Sequence, residues 1–329
     1  MAASLGKTLM LITIYIAIWS SSPIWVKLSH ADGNEYNNKG PLLIVEITKL
    51  FASLIIIQIG NPSHGIKKCM KFSQGIYLLL PAFLYLVVNV ANWDALKYLN
   101  PATCSLLMNL KLLSTGILTE IIFRQKLGLR KWISLIIITI GACLAQVSDN
   151  FSIDSIYGVL LMLIHCLCSS LASVYFTWLL KNQTLSFGLW EKNAWLYFFG
   201  IITNICVLIV TDKDVLLGRD IKNYNSAAIM SVVVFVTGGI SVSYILKYLD
   251  AIYKEICSVL LVFVQIVMQV VLFNDIPNKY LISGFIVVVI GVVMYNYDLI
   301  TGATSKNQEN SSNDQEEKKN VFNFFFTSI

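Results

Sequence analysis

Long runs of apolar residues, separated by short polar breaks, follow one another along the sequence from Leu9 to about residue 300. Each run has about the length that a helix needs to cross a bilayer. Gly, Pro, Asn or charged residues bound the runs, as expected where helices end. The pattern predicts ten membrane-spanning helices and no strands, at 9–28, 42–60, 76–98, 102–124, 131–148, 156–180, 193–211, 226–249, 254–274 and 280–300.

The ends of the fourth and ninth segments resemble each other. Phe123 is followed by a short polar turn and then by Gly141, and Phe273 is followed at the same spacing by Gly291. Five spans in each half would make the second half run in the opposite sense, which is the inverted repeat of many secondary transporters. We therefore predict an all-α membrane protein of two five-helix repeats, residues 1–150 and 151–300. The polar tail, residues 301–329, is expected to be disordered and cytosolic.

Composition agrees with a membrane protein and excludes several function classes. The chain is 56% hydrophobic and 13% charged, with a mean hydropathy of +0.69. Its net charge of +5 is scattered over short loops, so no nucleic-acid partner is expected. Nucleotide-binding glycine loops, a Ser-His-Asp arrangement and Cys/His metal spacing are all missing from the sequence. We expect no enzyme, no cofactor and no metal, and no ATP-driven pump.

Loop charges predict the orientation. Lysine and arginine are more frequent on the side that holds the N-terminus, which places both termini in the cytosol. The sequon at Asn150 would then be lumenal and very close to the membrane.

Lys111 lies near the middle of the fourth predicted span, roughly 13 to 20 Å from either end. A lone cation at that depth is costly, so it normally faces a polar cavity and an anionic partner. That partner could be a carboxylate of the protein, such as Glu46 or Asp250, or an anionic substrate that enters and leaves.

Two further charge groups accompany the predicted spans. Glu46 and Lys49 lie one turn apart, as a local ion pair or as part of a substrate or gating site. Lys247 and Asp250 lie at the corner between the eighth and ninth spans, where Lys254 opens the next helix. A helix N-terminus beside a lysine favours an anion, so Lys111 and Lys254 could hold two sides of one phosphate. The alternative is a charged cytosolic loop.

Several motifs resemble the nucleotide-sugar transporters, above all the CMP-sialic acid and UDP-galactose transporter group of the drug/metabolite transporter superfamily. They occur in the family's order over nearly the whole chain: NLKLLSTGIL (109–118), RKWISLIIITIGACLAQ (130–146), VYF (174–176), LWEKNAWLYFFG (189–200) and KYLDAIYK (247–254).

The resemblance implies a ten-helix Golgi antiporter, with the endoplasmic reticulum as an alternative membrane. Such proteins exchange a cytosolic nucleotide sugar for a lumenal nucleoside monophosphate by alternating access, and here we expect a pyrimidine nucleotide sugar. A homodimer is a possible oligomeric state. The implied phosphate contacts are Lys111 and Lys254. The implied contacts to the rest of the substrate are Asn193, Tyr197 and Asn89, and we add Tyr85 and Cys104 as candidate substrate contacts.

The sequence departs from the family pattern near these positions. Cys104-Ser105 and Met108-Asn109 stand where Tyr-Gln pairs are usual, and Glu255 stands where a small residue usually follows the lysine. These departures leave the base and the sugar undetermined. They also keep two alternatives open: an exporter of another organic anion or metabolite, and a membrane adaptor that does not transport.

Overall fold

The computed structural model describes residues 2–30, 39–60, 72–147, 155–182, 188–211, 213, 224–273 and 279–297. Within those ranges most residues are helical, and none forms a strand. The predicted tail, residues 301–329, and the sequon at Asn150 lie outside them.

Thirteen α-helices are described, and several of them are two halves of one predicted span. In chain order they are α1 (Ala2–Ser20), α2 (Ser22–Ser29), α3 (Lys39–Gly60), α4 (Phe72–Gly75), α5 (Leu79–Ala95), α6 (Pro101–Met108), α7 (Leu110–Phe123), α8 (Leu129–Gln146), α9 (Ile156–Lys181), α10 (Leu189–Thr211), α11 (Ser226–Tyr248), α12 (Ala251–Phe273) and α13 (Leu281–Tyr295). A 3₁₀ turn, Ile76–Leu78, joins α4 to α5.

These helices reproduce the predicted spans to within a few residues. Nine helical stretches in the described part of the chain are long and apolar enough to cross a membrane. Helix α13 is shorter, at 15 residues, although it is the most apolar of the set. The protein is therefore a helical multi-pass membrane protein, and a count of ten spans is consistent with the described helices.

Side-chain caps fix two boundaries that matter for the site. The Asn100 side chain accepts a hydrogen bond from Thr103 N at 2.8 Å, and Pro101 opens α6. At the corner between α11 and α12, Asp250 Oδ1 accepts a hydrogen bond from Tyr253 N at 2.9 Å. Because Asp250 supplies this N-cap, α12 begins at Ala251, three residues before the predicted start.

Three pairs of helices that are distant in sequence pack on each other: α3 on α10, α7 on α12 and α8 on α13, and α5 also packs closely on α9. The α8–α13 contact is backbone to backbone: a Cβ built on Gly141 would lie 2.8 Å from Val288 N. The division into repeats near residue 150 stays a prediction.

Candidate functional site

The buried lysine of the fourth span contacts a carboxylate of the protein. Lys111 Nζ lies 3.3 Å from Glu255 Oε2, and Lys254 Nζ lies 2.7 Å from Glu255 Oε1. The side chain of Glu255 is 3% exposed and that of Lys111 is 20% exposed. We call Lys111, Lys254 and Glu255 the lysine–glutamate cluster. Its two lysines come from helices α7 and α12, which the sequence places far apart.

This cluster corrects the predicted partners of Lys111. Neither Glu46 nor Asp250 pairs with it, because each carboxylate has another contact: Glu46 bonds Lys49, and Asp250 caps α12. The cap also changes the expected phosphate site at the start of α12, since Asp250 already takes the N–H of Tyr253. The sequence predicts an external anion beside Lys111 and at the start of α12. In the structure Glu255 occupies the first position and Asp250 the second.

Asn109 joins two helices of the fourth span, two residues before Lys111, and its φ of −64° and ψ of −21° keep the helical course. Helix α6 ends at Met108 and α7 begins at Leu110, with Asn109 between them in a turn. The Asn109 amide donates to Leu106 O at 3.2 Å, and its carbonyl oxygen accepts from Gln146 Nε2 at 3.4 Å. Asn109 thus connects the fourth span to the end of α8, two residues before the lysine that enters the cluster.

A cavity of about 420 Å³ opens beside the cluster. It runs between α6–α7 and α12, from the cluster toward the last residues of α8 and α12. The lining residues are Ser105, Met108, Asn109, Lys111, Leu112, Gln146, Glu255, Ser258, Val259, Val262, Gln265, Ile266 and Gln269. Its wall is mostly apolar, with amide side chains spaced along it, which is usual for pockets that bind organic molecules.

Helix α1 fixes the face of α12 that carries this wall. Tyr15 Oη shares a hydrogen bond of 3.0 Å with Ser258 Oγ, and Gln265 Nε2 donates to Trp19 O at 3.1 Å. Ser258 also donates to Lys254 O, 2.9 Å away. These bonds hold the α12 face that presents Glu255 to the cavity.

A second polar group, which we call the inner polar cluster, consists of Glu46, Lys49 and Tyr197, together with Asn193 one turn before Tyr197 on α10. Lys49 bonds Glu46 at 2.5 Å and lies 4.5 Å from the centre of the Tyr197 ring. Asn193 is fully buried, and neither atom of its amide has a hydrogen-bond partner in the described part of the chain. Buried polar atoms are usually paired, so an unpaired amide here indicates a place where a polar ligand group could bind.

The other predicted site residues are not among the residues that line the cavity. Tyr85 and Asn89 are half-buried on α5. Cys104 is 2% exposed and packs in an apolar cluster with Leu99 and Met162. Lys247 stacks over the ring of Tyr248, with 5.3 Å between Nζ and the ring centre.

Sequence reasoning gave no role to six polar residues of the cavity besides Glu255: Ser105, Asn109, Gln146, Ser258, Gln265 and Gln269. Ser105, Asn109 and Glu255 were noted as departures from a family pattern, without a role. One signal could have found part of this wall, because Gln265 and Gln269 lie one turn apart in an otherwise uncharged apolar stretch of helix.

A helical multi-pass fold with charged side chains on the wall of a cavity is typical of membrane transporters. Comparison with known proteins gives the family: residues 4–296 match the model of the nucleotide-sugar transporters, and the chain belongs to this family. Its relatives are transporters, which agrees with the expectation that it is not an enzyme.

Several characterised relatives match over most of their length. CMP-sialic acid transporter 1 of Oryza sativa subsp. japonica is 29% identical, over 84% of this chain and 90% of the relative. UDP-galactose transporter senju of Drosophila melanogaster is 26% identical, over 88% of this chain and 86% of the relative. The human UDP-N-acetylglucosamine transporter is 24% identical, over 81% of this chain and 87% of the relative.

A solved crystal structure shares the fold. It superimposes with a TM-score of 0.68 over 92% of this chain and 99% of the other, at 13% sequence identity. At that identity the likeness concerns the fold alone.

Proposed function

We propose that this protein exchanges a cytosolic pyrimidine nucleotide sugar, UDP- or CMP-linked, for a lumenal nucleoside monophosphate by alternating access. The proposed membrane is that of the Golgi, with both termini in the cytosol and the endoplasmic reticulum as the alternative. In this orientation the cavity would run from the lysine–glutamate cluster toward the lumenal face, because α8 and α12 would end there.

The observation that carries the proposal is the convergence of two lysines from different helices on one anionic group in a cavity wall. Lys111 and Lys254 reach the two oxygens of a single carboxylate, at 3.3 and 2.7 Å. A phosphate presents oxygens with similar spacing and more charge, so the same pair could bind it. Lysine serves this role as a strongly hydrated point charge with several donors.

The inner polar cluster is the proposed place for the rest of the nucleotide. Asn193 has an unpaired donor and an unpaired acceptor, which matches the mixed edge of a pyrimidine base. Tyr197, one turn further along α10, offers an aromatic face, and Tyr85 and Asn89 complete this region in our proposal. The relatives carry CMP- and UDP-linked cargo, which supports a pyrimidine and leaves the sugar open.

An exporter of another organic anion is the second candidate, and Glu255 is the observation that favours it. A carboxylate on the two lysines lowers the positive charge that cargo would meet, which suits a less charged anion. A non-transporting adaptor fits less well, since a lysine–glutamate cluster beside a cavity is costly to keep without use.

A thermal-shift screen of the purified protein against CMP, UMP, GMP and AMP tests the proposal. A ligand that binds only the folded state raises the melting temperature. We expect UMP or CMP to raise it, and Lys111→Ala to abolish the rise and the uptake of nucleotide sugar into proteoliposomes. Lys97→Ala is the matched control, because Lys97 pairs with Asp94 on the exposed end of α5.

Two results would contradict the proposed function. If none of the four nucleotides stabilises the wild-type protein, the organic-anion exporter becomes the better candidate. If Lys111→Ala folds and transports as the wild type does, the phosphate role of Lys111 is wrong.

A further inference from the structure

Glu255 uses its two carboxylate oxygens separately. Oε2 faces Lys111 and Oε1 accepts a hydrogen bond from Lys254. With 3% exposure, the side chain has almost no contact with water. A single carboxylate thereby compensates two cations that belong to two different helices.

The lysine–glutamate cluster is not a sealed structural ion pair. Lys111 and Glu255 both line the 420 Å³ cavity, so a molecule in the cavity would reach them directly. Burying charges seldom stabilises a fold more than apolar residues would, so stability alone is a poor reason for the cluster. One positive charge also remains after Lys111, Lys254 and Glu255 are summed, which still attracts an anion.

We propose that Glu255 is an internal anion that holds Lys111 and Lys254 while the cavity is empty, and that the phosphate of the cargo displaces it from them. This inference rests on the proposed function, since it needs cargo with a phosphate. A phosphate monoester carries up to two negative charges and three terminal oxygens, against one charge and two oxygens for the carboxylate. It can therefore compete with Glu255 for the same two lysines.

Displacement makes binding an exchange of ion partners. A lysine that bonds the phosphate must give up its bond to Glu255, so wild-type affinity is lower than two free lysines would give. Removing the charge of Glu255 while keeping its shape should therefore tighten phosphate binding. Glu255→Gln makes this change with the same number of heavy atoms.

Calorimetric titration of the purified protein with UMP, CMP and uridine tests the inference. Glu255→Gln should lower the dissociation constant for the nucleotide that the wild type binds by about tenfold or more, since a charge-assisted bond no longer has to be given up. Uridine lacks the phosphate, so its affinity should stay within about twofold. Asp94→Asn is the matched control, because it removes a carboxylate from the exposed Asp94–Lys97 pair. We expect it to change none of the three titrations.

The outcomes separate this inference from the function on which it rests. If the wild type binds UMP or CMP and Glu255→Gln binds it equally or more weakly, the internal-anion role is wrong while the carrier function stands. If Glu255→Gln tightens uridine as much as the nucleotide, the effect is not on phosphate and the inference also fails. If neither protein binds any nucleotide, the proposed function fails first. Glu255→Ala gives the same comparison where the glutamine variant does not fold.

Discussion

The contact between Lys111 and Glu255 can be measured as a coupling free energy. Three variants are needed: Lys111→Met, Glu255→Gln and the double variant. Methionine keeps most of the length of the lysine stem and removes the charge. Lys111→Met leaves Glu255 bonded to Lys254, whereas Glu255→Gln leaves both lysines without their shared anion. We therefore expect Glu255→Gln to be the more destabilising single change, and the double variant to recover part of the loss.

The distance sets the scale of the coupling. At 3.3 Å and an effective dielectric constant of about 20, the Coulomb attraction is about 5 kcal/mol. Desolvation of the two buried groups offsets much of it. The retained bond from Lys254 to Glu255 reduces the effect of losing Lys111 further. We expect a coupling of about 1–3 kcal/mol, within the range measured for residues in one ion-pair network.

Unfolding in mixed micelles with increasing dodecyl sulfate gives the four free energies of the cycle. The Asp94–Lys97 pair provides the control, because its ions lie at 2.6 Å but their side chains are 38% and 69% exposed. Solvent screening should bring that coupling close to zero. A coupling below about 0.5 kcal/mol for Lys111 and Glu255 would refute the reasoning, since independent sites add to within that margin.

Two further changes test the helix packing and the inner polar cluster. Gly141→Val should destabilise the protein by about 1–3 kcal/mol or more, because the new side chain would meet the backbone of α13; Gly60→Ala, with no atom within 4 Å, should not. The same micelle titration measures the free energy of unfolding of both variants. If Gly141→Val is as stable as the wild type, the close contact between α8 and α13 is wrong. Asn193→Leu should leave unfolding nearly unchanged, because the amide has no hydrogen bond to lose, yet weaken UMP binding at least about tenfold. Wild-type UMP affinity in that variant would remove Asn193 from the proposed site.

The helical spans could be predicted from the sequence because bilayer thickness fixes their length and apolar character. The stop at Asn100-Pro101 was equally predictable, since an N-cap and a following proline act locally. No Gly or Pro marks the corner at Asp250. The N-cap there is defined by the hydrogen bond that Asp250 accepts from Tyr253, which the sequence does not show. Local chemistry thus defines most of the boundaries.

The partner of Lys111 could not be predicted in the same way. It depends on how α7 lies along α12, and no local pattern fixes the register of two helices so distant in sequence. The depth of Lys111 predicts that an anion must be near, and that part of the reasoning holds. Which anion it is follows from tertiary packing, which aligns Glu255 with it rather than Glu46 or Asp250.

The lysine–glutamate cluster also decides which variants are informative. A lysine-to-alanine change removes a phosphate contact and a contact to Glu255 together, so a loss of transport would follow from either effect. Glu255→Gln removes the internal anion and leaves both lysines in place. It predicts tighter phosphate binding, which is the opposite sign to the effect of losing a ligand contact. Because general damage to a site weakens binding, a gain of affinity that requires the phosphate would show that the charge of Glu255 opposes phosphate binding at Lys111 and Lys254.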